Sequence, residues 1–496
     1  MHEDQFNRGF FHFLQASPTP FHAVSSMAVR LQDAGFHRLY ETDYWDLRPG
    51  ASYFTIRENG ALAAFTLAAA TFQEQGFRIM GAHTDSPSLK IKPLAGKESH
   101  SYFQLGVEVY GGPLLSTWFD RDLSIAGRVV CATADNHLIS LLIDFKRPLA
   151  VIPSLAIHLD REANNGHAIN KQKELTPIIC QISGDKSGDE PLTPMNGISA
   201  FRTSSSCKKN KKMSCKALAP MNGISAFRTS SSCKKNKKMS CKALNFSSIL
   251  AEQIQREHPE CKVVAIMGFD LFCHDCQPPS FLGTDNEFIC GGRLDNLLSC
   301  FTGYTAMIET RTQKTATGNR LLICNNHEEI GSLTAEGAKG TFLQSILQRI
   351  IPDPDSRQRT LRQSFFISMD NAHGVHPNFS DKSDPEHLPL LNHGPVVKSN
   401  ANQNYATTGI SAAIYRTIAA EAGVPTQDFV MRSDMACGST IGPHIATALG
   451  IPAVDIGAPT LAMHSIREMT GSRDPYLLYR TIHHFLSREH LPRIQG

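Results

Sequence analysis

A chain of 496 residues, 41% of them hydrophobic, is long enough for about two to four domains with filled cores, which excludes a small stapled scaffold and a wholly unstructured chain. The opening MHEDQFNRGFFHFLQAS has no basic leader region, and the longest bland apolar stretch, GALAAFTLAAATF, is too short to cross a bilayer, so the expectation is a cytoplasmic protein with no membrane partner. The formal charge of +3 hides an acidic protein: residues 194–218, PMNGISAFRTSSSCKKNKKMSCKAL, recur letter for letter at 220–244, and without these two copies 37 basic residues face 46 acidic ones, a net charge of −9. Phe6, Phe10, Phe13 and Leu14 lie at helical spacing and predict a first helix. A second follows through Val24, Met27 and Leu31 to Gly35, with Thr19 as N-cap and Pro20 at its first position. Strands are predicted around YFTIR, ALAAFTL and FRIMGAHTDS.

From about residue 94 to 280 the chain turns to β-branched runs such as LGVEVYGG, AGRVVCAT and LAVIPSLAIHL, which predict a mostly β second domain. The duplicated basic segment falls inside it. Each copy has six Lys or Arg, no acid, one aromatic (Phe201 or Phe227) and no helix or strand periodicity, so the expectation is a solvated, disordered insertion rather than a nucleic-acid surface. Its internal C-x7-C spacing misses the usual zinc-ligand spacings, and two copies fall short of a solenoid. The thirteen cysteines show no disulfide framework and are expected as reduced thiols, with the pair in Cys273-His274-Asp275-Cys276 incidental. Beyond 280, apolar strands alternate with amphipathic helices: RLLIC, a helix near 335–350, SFFISM, a helix near 408–422, then IGPHIATALG and AVDIG. The fold class is therefore α/β, with layered stretches at 1–93 and 281–496 on either side of the mostly β residues 94–280.

Ligands of such sheets gather at the carboxyl ends of the strands, and the residues found there form a consistent set. FRIMGA ends in His83-Thr84-Asp85, RLLICNN in His327-Glu328-Glu329, SFFISM in Asp370, and AVDIGAPTLAM leads to His464; Asp295 sits where a helix through Leu297, Phe301, Tyr304 and Ile308 begins. Any one of these is commonly a satisfied structural residue, but this many carboxylates together cannot be buried without cations. A pair of metal ions about 3.5–4 Å apart relieves the repulsion, activates a shared water and polarises a carbonyl. One of the adjacent glutamates can then bind metal while the other accepts a proton, and the His-x-Asp of 83–85 fits a carboxylate that orients a metal-binding imidazole.

In order along the chain, GAHTDSPSLKIKP, RLDNLLSC, HEEIGS, SMDNAHGVHPN, SDMACGSTIGP and LAMHSIREM resemble the aspartyl aminopeptidases, and the likeness extends from NRGFFHFLQASPTPFH to the C-terminal region. The resemblance implies an exopeptidase that removes N-terminal Asp, and Glu, with two divalent ions, zinc first and manganese or cobalt as alternatives. It also implies an α/β/α catalytic domain interrupted by a dimerisation domain, and a homo-oligomer, a dodecamer built from dimers. Mapped onto this chain, it has His83, Asp295 and Asp370 hold one metal and Asp295, Glu329 and His464 the other, with Asp295 bridging, Glu328 as catalytic base and Asp85 as orienting acid. Lys398 would face the acidic side chain of the substrate, His158 would reach a neighbouring subunit's site, and His376 and Tyr405 would line the pocket. Two features depart from the family pattern: the duplicated segment, and Asn404, where relatives often carry arginine. Two other readings stay open: the same metal centre acting on neutral N-terminal residues or another amide, and a nucleic-acid-binding scaffold using the basic repeat, whose salt-sensitive binding would vanish on deleting 194–244.

Overall fold

The computed structural model describes residues 1–69, 72–182, 198–203, 224–229, 245–313 and 318–492. These form two compact units, one of residues 1–88, 110–118 and 277–496 and one of 89–109 and 119–276. The divisions at 88/89 and 276/277 lie a few residues before the expected 93/94 and 280/281, and Tyr110–Trp118 joins the first unit.

The first unit is built on a nine-stranded sheet. Its four middle strands, in the order Asn319–Asn325, Phe77–His83, Phe365–Met369 and Ala453–Gly457, run parallel, and every residue in them is buried. Continuous apolar runs of this kind are what a strand needs when helices cover both faces of its sheet. Alternate residues separate into two cores. Met80, Ala82, Leu322, Cys324, Ile367 and Val454 pack with the helices Glu3–Ala16, Pro20–Asp33, Leu294–Thr310, Gly409–Glu421 and Asp474–Ser487. Phe77, Ile79, Leu321, Ile323, Phe366 and Ala453 pack on the other face with Phe342–Ile350 and Ile441–Leu449. A shift of one residue in any middle strand would exchange its two faces, so the two cores fix the register and with it the level at which the strands end.

The helix expected near 335–350 begins only at Phe342. The residues before it form turns in which Gly337 and Gly340 lie so close to the carbonyls of Ser332 and Thr334 that no Cβ would fit. The helix expected near 408–422 spans Gly409–Glu421 and starts with a capping box between Thr408 and Ser411. Thr19 occupies the N-cap position of Pro20–Asp33, but its hydroxyl pairs with His22 Nδ1 at 2.8 Å instead of capping a backbone N–H.

The second unit is mainly a mixed, largely antiparallel sheet in which the strands Val263–Asp275 and Leu123–Thr133 pair over most of their length, with the helix Phe246–Glu257 beside it. The basic insertion departs from the expectation of disorder at two places. Ile198–Thr203 and Ile224–Thr229, the same six residues of each copy, pair in parallel register, and the first also pairs with Val263–Asp275 at Ala265. A repeated segment brings an identical strand to its own edge, which is why the two copies match residue for residue; the rest of 194–244 lies outside the described residues. Cys273 and Cys276 are free thiols whose pKa values burial pushes up to about 12 and about 11, a protonated and unreactive pair. Among the described residues no helix is long and apolar enough to cross a membrane.

Candidate metal centre

Parallel strands of matched register end together, and the chemistry of the chain collects at that edge. His83 closes its strand directly beside Asn325, so His327-Glu328-Glu329 leave the neighbouring strand next to it, and Asp370 follows Met369 one strand further. Asp295 lies in the first turn of Leu294–Thr310, but with non-helical dihedrals (φ −81°, ψ 108°). Asn296 ties that turn to the sheet by donating from Nδ2 to the Met369 carbonyl at 2.8 Å. His464 sits in the loop after Pro459–Leu461 with φ +67°.

The two imidazoles face opposite oxygens of one carboxylate: His83 Nε2 lies 3.3 Å from Asp295 Oδ1, and His464 Nε2 lies 3.7 Å from Asp295 Oδ2. Asp370 Oδ1 lies 3.5 Å from His83 Nε2, and Glu329 Oε2 lies 3.5 Å from His464 Nε2. The structure thus assembles two three-residue sets with metal-ligand chemistry, His83/Asp295/Asp370 and Asp295/Glu329/His464, sharing Asp295, and a third of His83, Glu328 and Glu329. Each imidazole turns Nδ1 away, toward the Asp85 carbonyl at 3.0 Å for His83 and the Gly112 carbonyl at 3.1 Å for His464. A proton on Nδ1 leaves Nε2 free as a donor of electrons to a metal.

Asp85 does more than the orienting part expected of it. Its carboxylate stands 3.5 Å from His83 Nδ1, while its two oxygens accept the backbone N–H groups of Glu328 and Glu329, both at 3.1 Å, and Oδ2 also accepts the Tyr110 hydroxyl at 2.8 Å. One carboxylate therefore holds the turn that carries both glutamates, a short 3-10 segment entered through His327 at φ +62° and left through Gly331 at φ +95°.

The electrostatics fit divalent cations. Burial and the charges of Asp370, Asp85 and Asp295 push the Glu328 carboxyl up to about 8 despite nearby His83, and burial with Asp295 raises Glu329 well above the usual carboxylate range. Burial opposes ionising Asp295, but His464 and His83 outweigh it and hold its carboxyl low; burial likewise opposes charging His464, but Asp295 and Glu329 raise it to about 10. Asp295 Oδ1 and Glu329 Oε1 are buried without a hydrogen-bond donor. Orphaned anionic oxygens facing basic ring nitrogens are what a divalent ion satisfies. Without metal, Glu328 favours the fold while protonated, so its contribution is lost as pH rises from the ordinary carboxylate value through about 8. The metal-free protein should accordingly lose thermal stability between pH 5 and 9, and zinc should flatten that slope; a slope unchanged by zinc would show that these carboxylates do not meet the ion.

The sequence family model of the aminopeptidase I zinc metalloproteases (M18) matches residues 13–486. The chain belongs to the M18 family of metallo-aminopeptidases. The probable M18 family aminopeptidase 2 of Azotobacter vinelandii is 44% identical over 488 residues, 98% of this chain and 99% of that protein. That of Pseudomonas fluorescens is 42% identical over 486 residues, 98% and 99% of the two chains. Among solved structures, the complex of Ape4 and Nbr1 superimposes with a TM-score of 0.84 at 34% identity, covering 98% of this chain and 86% of that one. The mApe1 of Chaetomium thermophilum does so at 0.78 and 29%, covering 98% of each chain.

In this M18 chain the carboxylate cluster opens into a cavity of about 410 Å³ whose wall includes Asp295, Glu328, Glu329, Asp370, His464 and, further round, Lys398 and Tyr405. Lys398 is only 2% exposed; Nζ donates to Asp370 Oδ2 and to the Asn371 carbonyl, each at 3.1 Å, and lies 5.2 Å from the centre of the Tyr405 ring. His376 does not reach the wall and packs at a tilt against Phe379 with ring centres 4.9 Å apart; His373, three residues earlier, lines the cavity instead. His158 is exposed in the second unit. Tyr110, Glu468, His373 and Lys339 escaped the sequence reading; of these only His373 had a signal, its place just after the strand end at Met369.

Proposed function

We propose that the chain hydrolyses N-terminal Asp, and Glu, from peptides with two divalent ions held by His83, Asp295, Asp370, Glu329 and His464. The observation that supports this reading most is a single cavity lined by Asp295, Asp370, Glu329 and His464 together with Glu328 and buried Lys398, with His83 buried beside Asp295 and Asp370. Zinc, when bound, polarises the scissile carbonyl and lowers the pKa of the attacking water. Glu328 accepts the proton of that water on its side-chain carboxylate and passes it to the departing amine, the exchange its position beside the ligands favours. Asp85 keeps Glu328 and Glu329 on their turn, and His83 and His464 keep Nε2 toward Asp295. Lys398 meets the acidic side chain, whose burial without a cation costs several kcal/mol. A second reading, preference for neutral residues, draws support from the engagement of Lys398 with Asp370, which leaves less of its charge for substrate.

We further infer that the second unit serves dimerisation and that the chain forms a homo-oligomer, a dodecamer built from dimers, with exposed His158 available to another subunit. The support is likeness to the S. cerevisiae mApe1 dodecamer, 26% identical with a TM-score of 0.74 and covering 97% of this chain and 96% of that one. Free thiols among the described residues accord with a cytoplasmic site of action.

Hydrolysis of Asp-, Glu-, Ala- and Leu-anilides, with zinc, manganese or cobalt added to stripped protein, tests the reading. It predicts metal-dependent turnover with Asp and Glu strongly preferred; equal rates on all four would support the neutral alternative. Because every proposed ligand lies in the first unit, a variant lacking 194–244 should retain metal content and anilide turnover within about twofold, since changing the length of a connecting segment costs little. Loss of metal together with turnover in that variant would show that the insertion supports the centre.

A further inference from the structure

Glu468 begins the strand Glu468–Gly471, which pairs antiparallel with Phe288–Gly291. The pairing needs only its backbone, yet its side chain is a carboxylate that is 2% exposed. Each oxygen receives one main-chain N–H: Oε2 from Asp295 at 3.0 Å and Oε1 from His464 at 2.8 Å. Both donors belong to residues outside regular backbone geometry, Asp295 with its non-helical dihedrals and His464 at φ +67°, so neither N–H is taken up by a helix or sheet. Buried N–H groups of this kind must find an acceptor. One side chain supplies it for both.

The cost of this arrangement is substantial. Glu468 is buried close to the Asp295 carboxylate, a placement that costs desolvation and that a residue chosen for stability alone would not carry. A neutral amide would be easier to bury, but its NH₂ group would confront one of the two N–H donors. Only a carboxylate can accept from both through equivalent oxygens. The span between these oxygens therefore sets the spacing of the Asp295 and His464 backbones, while other contacts hold each residue independently: Ser86 Oγ donates to the Asp295 carbonyl at 2.6 Å, and His464 Nδ1 faces the Gly112 carbonyl at 3.1 Å.

We propose that Glu468 is a positioning residue that holds Asp295 and His464 at the separation needed to bind the ion they share with Glu329. This rests on the ligand assignment above. The test is calorimetric titration of metal-stripped protein with zinc, for wild type, Glu468→Gln, Glu468→Ala and His464→Ala, with the melting temperature of each stripped protein and anilide turnover at rising zinc. Glu468→Gln should weaken one zinc about 10–100-fold, the scale of lost outer contacts to metal ligands, leave the other within a few-fold, and regain most turnover when zinc is raised. Glu468→Ala should weaken the same zinc further. If either Glu468 variant folds and binds both zincs as wild type does, the proposal is overturned; a lowered melting temperature with unchanged zinc affinities overturns it too, as that marks a purely structural role. Should Glu468→Ala fail to fold, Glu468→Gln, which retains one acceptor, carries the comparison. His464→Ala separates the two levels: if it leaves both affinities unchanged, the ligand assignment is wrong, whereas loss of one zinc there but not in the Glu468 variants removes the positioning role alone.

Discussion

Glu328→Gln is expected to keep both metal ions and lose about 10²–10⁴-fold in kcat, the usual range for removing a general base, while Glu329→Gln loses metal as well as turnover. The two residues adjoin, and their backbone N–H groups are both fixed on Asp85 at 3.1 Å, so a change at either side-chain end leaves the turn in place. What differs is the company of the carboxylates. Glu329 Oε2 faces His464 Nε2 at 3.5 Å within the set that shares Asp295, and its Oε1 has no donor. Glutamine there would replace one oxygen by a group that repels a cation. Glu328 lies 3-10 style one residue earlier, against His83 and open to the cavity, and glutamine would preserve its shape while abolishing its ability to take a proton. Elemental analysis beside the rate measures both effects. Because Glu328 also belongs to a possible ligand set with His83 and Glu329, equal metal loss in the two variants is a real outcome, and it would make both glutamates ligands and leave the proton acceptor unidentified.

The edge of the sheet was legible because it follows from local patterns. FRIMGAH, RLLICNN and SFFISM are apolar runs bounded by polar residues, and parallel strands buried on both faces have to look like that. Their ends therefore marked His83, Glu328, Glu329 and Asp370. What closes the site was not legible, since it depends on contacts between distant residues. Tyr110 reaches Asp85 across 25 positions and Glu468 reaches Asp295 across 173, and neither carries a periodicity or spacing that announces a partner. The same limit explains His376. It follows His373 by three residues, and only the pairing of Ala372–His373 beside Pro459–Leu461 decides which imidazole meets the cavity. In the insertion, composition argued for disorder, and what overrides it at ISAFRT is the identical segment 26 positions on, with which it pairs residue for residue.

Lys398→Met is expected to act at two levels that zinc concentration separates. The lysine stands on Val396–Ser399 opposite Asp455, almost wholly buried, with its ammonium on Asp370 and the Asn371 carbonyl. Removing one partner of a buried ion pair costs about 3–5 kcal/mol when nothing replaces it. At limiting zinc, Asp370 loses the cation that orients it, so metal binding weakens and all substrates slow together. Saturating zinc gives Asp370 a new cation and removes that effect. What remains is the contact with an acidic substrate side chain, which the methionine cannot supply. There kcat/KM for the Asp-anilide should stay about 30–1,000-fold below wild type, equivalent to roughly 2–4 kcal/mol of transition-state stabilisation, while the Ala-anilide recovers to within about fivefold. The Asp-over-Ala preference would then collapse in an enzyme with full metal content. If Asp and Ala hydrolysis instead recover by the same factor, Lys398 works only through Asp370. The selecting charge would then lie elsewhere on the cavity wall, and Lys339, which lines it and forms no ion pair among the described residues, would be the next residue to replace.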